Sequence, residues 1–118
     1  MIWKTEAFRG LAKIQMLTIL NCPKVEQFLG LGTLKSLDTL ELYKCGVTGI
    51  LGLQQLTKLR VLRVSNCDAL EKLGGIKHLM WLRMLNVCVC PKLQCGEEDL
   101  EHLRQRAERG LLNLSYDP

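Results

Sequence analysis

Hydrophobic residues along this chain recur in a fixed order that repeats four times. The order is L-x-x-L-x-x-L-x-L-x-x-C, with Ile or Val at some of the leucine positions. The copies are spaced 23, 22 and 23 residues apart, and they begin at Leu11, Leu34, Leu56 and Leu79. The residues that close them are Cys22, Cys45, Cys67 and Cys90. Self-similarity at a period of about 20 to 50 residues is typical of stacked repeat architectures.

Each copy predicts one short strand followed by a compact return. The seventh and ninth positions, such as Leu40 and Leu42, are apolar and one residue apart, which is the period of a strand with one buried face. After the cysteine, apolar residues recur at every third position, as at Val47, Ile50 and Leu53. This spacing suits a 3₁₀ or polyproline-like segment. Since one copy cannot bury its own leucines, we predict an α/β, mainly β, fold in which the strands stack into a short parallel sheet on a concave face.

The repeated motif resembles the leucine-rich-repeat family over residues 11–95, which hold the four copies. The resemblance implies a right-handed solenoid with a concave sheet and an irregular or 3₁₀ convex side. The 22-residue second copy is similar to the compact repeats of phosphatase regulatory subunits. The Cys-Pro steps at Cys22 and Cys90 resemble the C-terminal repeats of plant nucleotide-binding immune receptors.

The two ends of the chain carry patterns that could cover the stack, and residues 1–118 are predicted as a single domain. Residues 1–10 are predicted as an N-terminal partial coil. There, Thr5, Phe8 and Leu11 continue the spacing of three, and Ile2 and Trp3 could shield the first layer.

Residues 96–118 are predicted as a capping helix and a terminal strand. Acids at 97–99, bases at 104, 106 and 109, and a closing Gly110 are the signals of a helix. Leu100, Leu103 and Ala107 mark its buried stripe. Leu112 and Leu114 follow Leu85 and Val87 by 27 residues and predict a fifth strand.

Composition and charge narrow the class of protein. Leucine supplies 25 of the 118 residues, and apolar residues make up 47%, which favours a packed core over disorder. The net charge of +4 is small for a dedicated nucleic-acid binder. The chain has neither an apolar run of about 20 residues nor a signal peptide, so we expect no membrane association. Six cysteines in such a chain predict reduced thiols and a cytoplasmic or nuclear location.

Residue types that carry chemistry are present, but their spacing favours structural roles. The four repeat-closing cysteines are expected to point inward, bond weakly to backbone and pack as small apolar residues. Cys88 should face outward and Cys90 inward, which argues against a shared metal. His102, four residues after Glu98, is interpreted as part of a helix surface pair, and His78 lies in a return. We predict no enzyme activity, no cofactor and no metal.

Solvent-facing positions on the predicted strands vary in chemistry, whereas the leucine positions are uniform. Exposed Met, Tyr, Trp and Arg are enriched in binding patches. The candidate partner-binding residues are Met16, Thr18, Glu41, Tyr43, Arg60, Arg63, Trp81, Arg83, Met84 and Asn86. Glu41 and Arg63 should be lateral neighbours, as should Asp38 and Arg60. A plain solvated scaffold held by such pairs is the competing interpretation.

The leading hypothesis is a non-catalytic protein–protein interaction module that binds a protein partner through its concave face. We expect it to be monomeric in isolation and, from the abrupt ends of the sequence, to be a segment of a larger intracellular receptor or adaptor. The alternative is a regulatory or targeting subunit of a phosphatase or similar enzyme, favoured by the 22-residue second copy.

A third hypothesis is nucleic-acid binding through basic residues on or beside one face. Asp38 and Glu41 dilute that basic patch, so this hypothesis ranks last. The residues concerned are Lys13, Lys44, Lys58, Arg60, Arg63 and Arg83.

Overall fold

The structure is a computed structural model that describes the backbone of residues 1–118 and all side chains except those of Thr5 and Glu6. It is a mixed α/β fold. The strands are β1 (Ile2–Trp3), β2 (Met16–Leu20), β3 (Gln27–Phe28), β4 (Thr39–Tyr43), β5 (Val61–Ser65), β6 (Met84–Cys88) and β7 (Asn113–Asp117). Helix α1 spans Glu97–Glu108.

A five-stranded parallel sheet in the order β2-β4-β5-β6-β7 organises the molecule. Strands β2, β4, β5 and β6 of this sheet each occupy the same place in one of the four sequence copies, and their register is uniform. Leu40 pairs with Leu17 on one side and Leu62 on the other, and Leu62 pairs in turn with Leu85. The predicted parallel sheet is therefore confirmed, and its leucines form continuous rows across the strands.

The core lies behind one face of this sheet. Along β4, β5 and β6, the second and fourth residues are buried, as expected when alternate residues point to opposite faces. The apolar residues of the returns close the core from the other side. Val47, Ile50 and Leu53 are all buried, as the spacing of three predicts.

Short 3₁₀ helices precede three of the sequence copies. They span Leu31–Thr33, Leu53–Gln55 and Ile76–His78. Each follows a glycine with a left-handed φ, of 95° at Gly30, 85° at Gly52 and 78° at Gly75. Glycine adopts this backbone without the steric cost that a Cβ would add. Of the two predicted conformations, 3₁₀ is therefore found in a three-residue stretch of each of these returns, and the glycines start these stretches.

The N-terminal segment forms its own small sheet beside the first copy. Strand β1 pairs in parallel with β3, and a 3₁₀ helix spans Thr5–Phe8. Trp3 and Phe28 pack with ring centroids 5.4 Å apart, and Phe8 is buried against both rings. The predicted place of the Thr5 side chain in the spacing of three lies outside the described residues.

The C-terminal segment contains the predicted helix and strand, but the strand has a different register. Leu114 pairs with Leu85, 29 residues earlier, so the predicted equivalence of Leu112 with Leu85 is wrong. Leu112 is instead buried just before β7 begins. It fills the space between the end of the helix and the sheet.

The face of α1 also differs in part from its prediction. Leu103 is fully buried as predicted, while Leu100 is only half-buried. The predicted surface pair of Glu98 with His102 is wrong: Glu98 lies 3.3 Å from Lys77, and His102 is half-buried. The Glu98 carboxylate forms its ion pair with Lys77 in the neighbouring return rather than with a side chain of its own helix.

Among the residues that the structure describes, no helix has both the length and the apolar character needed to cross a bilayer.

Candidate functional site

The solvent-facing side of the five-stranded sheet, here called the open face, presents alternate residues of each strand. Its three central rows run laterally from strand to strand in exact register order. They are Met16, Thr39, Val61, Met84 and Asn113; Thr18, Glu41, Arg63, Asn86 and Ser115; and Leu20, Tyr43, Ser65, Cys88 and Asp117. The apolar rows lie on the other side of the sheet, so the residues of varied chemistry are on the open face.

A hydrogen-bonded row crosses the centre of the open face. Thr18 Oγ1 donates to Glu41 Oε1 over 3.0 Å, and Arg63 Nη1 donates to Glu41 Oε2 over 2.8 Å. Arg63 Nη2 also lies 3.4 Å from Met84 Sδ. These bonds span the four neighbouring strands β2, β4, β5 and β6. The predicted lateral pair of Glu41 and Arg63 is therefore confirmed as a direct ion pair.

The hydrogen bonds of this row fix its charge state near neutral pH. Those from Arg63 and Thr18 hold the pKa of Glu41 below its ordinary value. Glu41 therefore stays ionised, and Arg63 keeps part of its guanidinium exposed. The row offers a partner both an ordered carboxylate and guanidinium donors with free hydrogen-bonding capacity.

Large side chains lie in the rows to either side of this polar row. Met16 is 64% exposed, Leu20 is 61% exposed and Tyr43 is 40% exposed. Lys44 Nζ lies 5.5 Å from the centre of the Tyr43 ring, within cation–π range. Exposed apolar and aromatic surface around an ordered polar pair is typical of protein-binding patches.

The remaining predicted residues of the open face are less accessible than the pattern suggested. Met84 and Asn86 are half-buried rather than exposed. Thr39, which occupies the same repeat position as Met84, is only 8% exposed. Thr39 Oγ1 donates to Asp38 Oδ1 over 3.0 Å, which holds its hydroxyl against the neighbouring residue.

Three of the predicted site residues lie at a second place, a cleft at the amino ends of the strands. The cleft has a volume of about 660 Å³. It is lined by Gln15, Ser36, Asp38, Lys58, Arg60, Trp81 and Arg83. The structure thus divides the ten predicted residues into an open-face group and a cleft group that holds Arg60, Trp81 and Arg83.

Four of these cleft residues were not among the ten predicted partner-binding residues, although Lys58 was predicted as part of the basic patch and Asp38 as the lateral neighbour of Arg60. Gln15, Ser36, Asp38 and Lys58 lie at the same two repeat positions as the three residues that were assigned. Their shared positions, five and three of each copy, are the signal that could have identified them. The predicted pair of Asp38 and Arg60 is present with 3.8 Å between Oδ2 and Nη1.

The repeat-closing cysteines form a ladder along the carboxyl ends of the strands. Cys45, Cys67 and Cys90 are buried, and Cys22 is half-buried. Cys45 Sγ lies 3.4 Å from the carbonyl oxygen of Ile19 in the neighbouring strand. Burial raises the pKa of the Cys90 thiol. As predicted, these thiols donate weakly to backbone and pack as small apolar groups, and Cys88 is exposed while Cys90 is buried.

We expect the six thiols to differ sharply in their reaction with Ellman's reagent at mildly alkaline pH. Cys88 should react fast, whereas Cys45, Cys67 and Cys90 should react at least about 100-fold more slowly, because they are buried away from the reagent and the pKa values of Cys67 and Cys90 are raised. Stopped-flow absorbance measures the phases. The variant Cys88→Ser should lose the fast phase alone, and equal rates for Cys88 and the buried thiols would contradict the ladder.

The described side chains contain no group of three or more His, Cys, Asp or Glu residues placed to hold a metal ion.

Comparison with known proteins gives no relative from which a function could be carried over. Models of known protein families give no match to this sequence, and no curated protein matches it significantly. The function is therefore inferred from the sequence pattern and from the geometry of the open face and the cleft.

Proposed function

We propose that this chain is a non-catalytic protein-binding module of the leucine-rich-repeat type, a right-handed solenoid whose open face is concave and receives another protein. The observation that carries the proposal is the contrast between the two sides of the sheet. Apolar rows that are buried on the three central strands β4, β5 and β6 face the core, while the open face combines the Thr18–Glu41–Arg63 row with exposed Met16 and Tyr43.

The area of the open face supports a partner that also contacts neighbouring surfaces. Five strands about 4.8 Å apart make a sheet about 19 Å wide. With strands about 17 Å long, the open face covers on the order of 300 Å². A stable interface usually buries about 800 Å² on each partner. The cleft adjoins the amino ends of the same strands and offers additional concave surface.

The cellular setting is part of the same proposal. Six free cysteines support a reducing cytoplasmic or nuclear location. The Cys-Pro steps at Cys22 and Cys90 support a role as a segment of an intracellular receptor or adaptor. Within such a protein, the open face would recognise the partner and the buried leucine rows would only hold its shape.

We expect the combined variant Tyr43→Ala, Arg63→Ala and Met84→Ala to lose partner capture from a lysate of the source organism by at least about tenfold. The three side chains lie on adjacent strands of the open face, and truncating central anchors removes most of the binding free energy of an interface. Quantitative mass spectrometry of the captured proteins measures the loss, and circular dichroism checks that the fold is retained.

The matched control for capture truncates three exposed side chains in the returns. It carries Leu51→Ala, Gln54→Ala and Lys72→Ala, and it should capture the same partner as the unmodified chain. Equal capture by the open-face variant and this control would overturn the proposal, as would the failure of the unmodified chain to enrich any protein.

A further inference from the structure

The cleft at the amino ends of the strands carries an unbalanced charge. Its lining includes the cations Lys58, Arg60 and Arg83 and the single carboxylate Asp38. The three cations against one carboxylate leave an excess of two positive charges, which is half of the net charge of +4 that the whole chain carries. The cleft is therefore a concave site with a net positive charge, lined by three of the 16 Lys and Arg residues of the chain.

The sheet holds the charged residues of the cleft in a fixed row. Asp38, Arg60 and Arg83 each immediately precede a strand. The backbone N–H of Arg60 donates to the Asp38 carbonyl over 2.8 Å, and that of Arg83 donates to the Arg60 carbonyl over 2.7 Å. Because these backbone groups are already paired, the side chains are what the row offers to a ligand. Neighbouring members are about 4.8 Å apart, the spacing of adjacent strands.

The two arginines keep donors available within the cleft. Arg60 contacts Asp38 only at 3.8 Å, and its side chain is 59% exposed. Arg83 is also exposed. A guanidinium presents five N–H donors in a planar fork that matches a carboxylate. Two such forks on adjacent strands suit a ligand that carries more than one carboxylate.

An exposed aromatic surface lies in the same cleft. Trp81 is 61% exposed, in contrast to Trp3, which packs in the N-terminal aromatic cluster. A large aromatic side chain beside cations provides apolar contact area together with charge, and Trp and Arg dominate binding hot spots. Trp81 therefore favours a ligand with an apolar side chain next to its acidic groups.

We propose that this cleft binds an acidic peptide segment of the protein partner, with carboxylates on Arg60 and Arg83 and an apolar side chain on Trp81. The inference rests on the proposed function and names the chemistry of the partner. The segment would run along the row of strand starts, beside the open face, and would enlarge the interface beyond the open face alone.

The cleft favours a peptide over a nucleic acid because of its acidic members. Asp38 lies in the cleft itself, and Glu41 lies three residues further along the chain, in the central row of the open face. Nucleic-acid grooves track a chain of phosphates with a continuous line of cations. Here the row holds only Arg60 and Arg83 on adjacent strands and ends at the carboxylate of Asp38. Such a short row suits a peptide with a few acidic residues better than a regular polyphosphate backbone.

The test uses the intact chain and three fluorescein-labelled probes in fluorescence anisotropy. They are a short peptide in which Glu alternates with Ser around one Leu, the same peptide with Gln in place of every Glu, and a short oligouridylate. We expect saturable binding of the Glu peptide below about 1 mM and no saturation with the Gln peptide. The affinity should fall as salt rises from about 50 mM to about 500 mM, because exposed charges are screened.

Two charge-reversal variants separate the cleft from general electrostatics. Arg60→Glu with Arg83→Glu should weaken binding of the Glu peptide by at least about tenfold. Lys24→Glu with Lys92→Glu makes the same change in net charge beyond the carboxyl ends of the strands and should retain binding within about threefold. Asp38→Asn keeps the acceptor for Thr39 but removes the only carboxylate of the cleft lining, so it should tighten binding about threefold.

Each other outcome overturns the inference. These outcomes are no saturable binding of the Glu peptide, equal weakening by the two charge reversals, and tighter binding of the oligouridylate that is lost on cleft reversal. The last would assign the cleft to nucleic acid. Because the probes are synthetic, this result is independent of partner capture: loss of capture in the open-face variant without peptide binding retains the proposed function and rejects the cleft ligand.

Discussion

Replacing Leu62 with alanine is expected to lower the free energy of unfolding by about 3 kcal/mol. Leu62 is fully buried in β5, the middle strand of the five-stranded sheet. Leu40 and Leu85 flank it at the same register position, and both are buried. A cavity at this site cannot collapse easily, because the neighbouring leucines are held by backbone bonds on both sides. Urea unfolding followed by circular dichroism measures the change.

Leu51→Ala is the matched control for this core truncation. It removes the same atoms from a leucine that is 51% exposed in a return, so we expect a loss below about 1 kcal/mol. The comparison isolates burial from the change of residue type. A similar loss in both variants would contradict the stacked leucine rows, and with them the separation between a uniform core and a varied open face.

The central part of the fold could be predicted from the sequence because every copy has nearly the same length. A spacing of 22 or 23 residues places Leu40, Leu62 and Leu85 at one register position, and a slip by one residue would turn every leucine outward. The same periodicity predicted that Glu41 and Arg63 would be neighbours, and they form a direct ion pair of 2.8 Å.

The register of the last strand could not be predicted because the periodicity ends at the helix. Helix α1 replaces the short return, and its length is not determined by the earlier copies. Leu111, Leu112 and Leu114 then offer several apolar positions that could match Leu85. Packing decides among these leucines. Leu112 is buried just before β7 begins, and Leu114 pairs with Leu85.

One backbone feature of the repeat was visible in the sequence but not recognised. The residue before each repeat-closing cysteine is left-handed, with φ of 57° at Asn21, 55° at Lys44, 56° at Asn66 and 53° at Val89. Asparagine at two of these four positions is the signal, since it tolerates this conformation better than most residues. Val89 has no such tolerance, so its conformation is imposed by the surrounding strands.

The contacts of Arg106 show that the sequence pattern does not predict which backbone groups a side chain reaches in the folded chain. As a base in the last turn of α1, it was expected to complement the helix dipole. Instead, its Nη2 donates to the carbonyl of Leu82 over 2.9 Å, and burial lowers the pKa of the guanidinium. The cleft was missed for the same reason, since its concavity depends on how side chains such as Trp81 and Lys58 are placed in space.

Replacing Gly46 with alanine is expected to lower the free energy of unfolding by about 3 kcal/mol. A Cβ at this position would overlap the carbonyl oxygen of Pro23 and would lie 2.8 Å from its carbonyl carbon and 3.2 Å from the Val25 oxygen. All three atoms are backbone, so no side chain can rotate away. The N–H of Gly46 also donates to the Cys22 carbonyl over 3.1 Å, which holds the two segments at this separation.

Gly74→Ala supplies the matched control, because a Cβ there meets no described atom within 4 Å and its φ lies outside the left-handed region. The alanine also restricts the unfolded chain, so stability should stay constant or rise by about 0.5 kcal/mol. Urea unfolding of the two variants side by side measures the difference. If both unfold at the same urea concentration, the returns are not in close backbone contact after the cysteines, and the uniform register that aligns the open face and the cleft loses its physical basis.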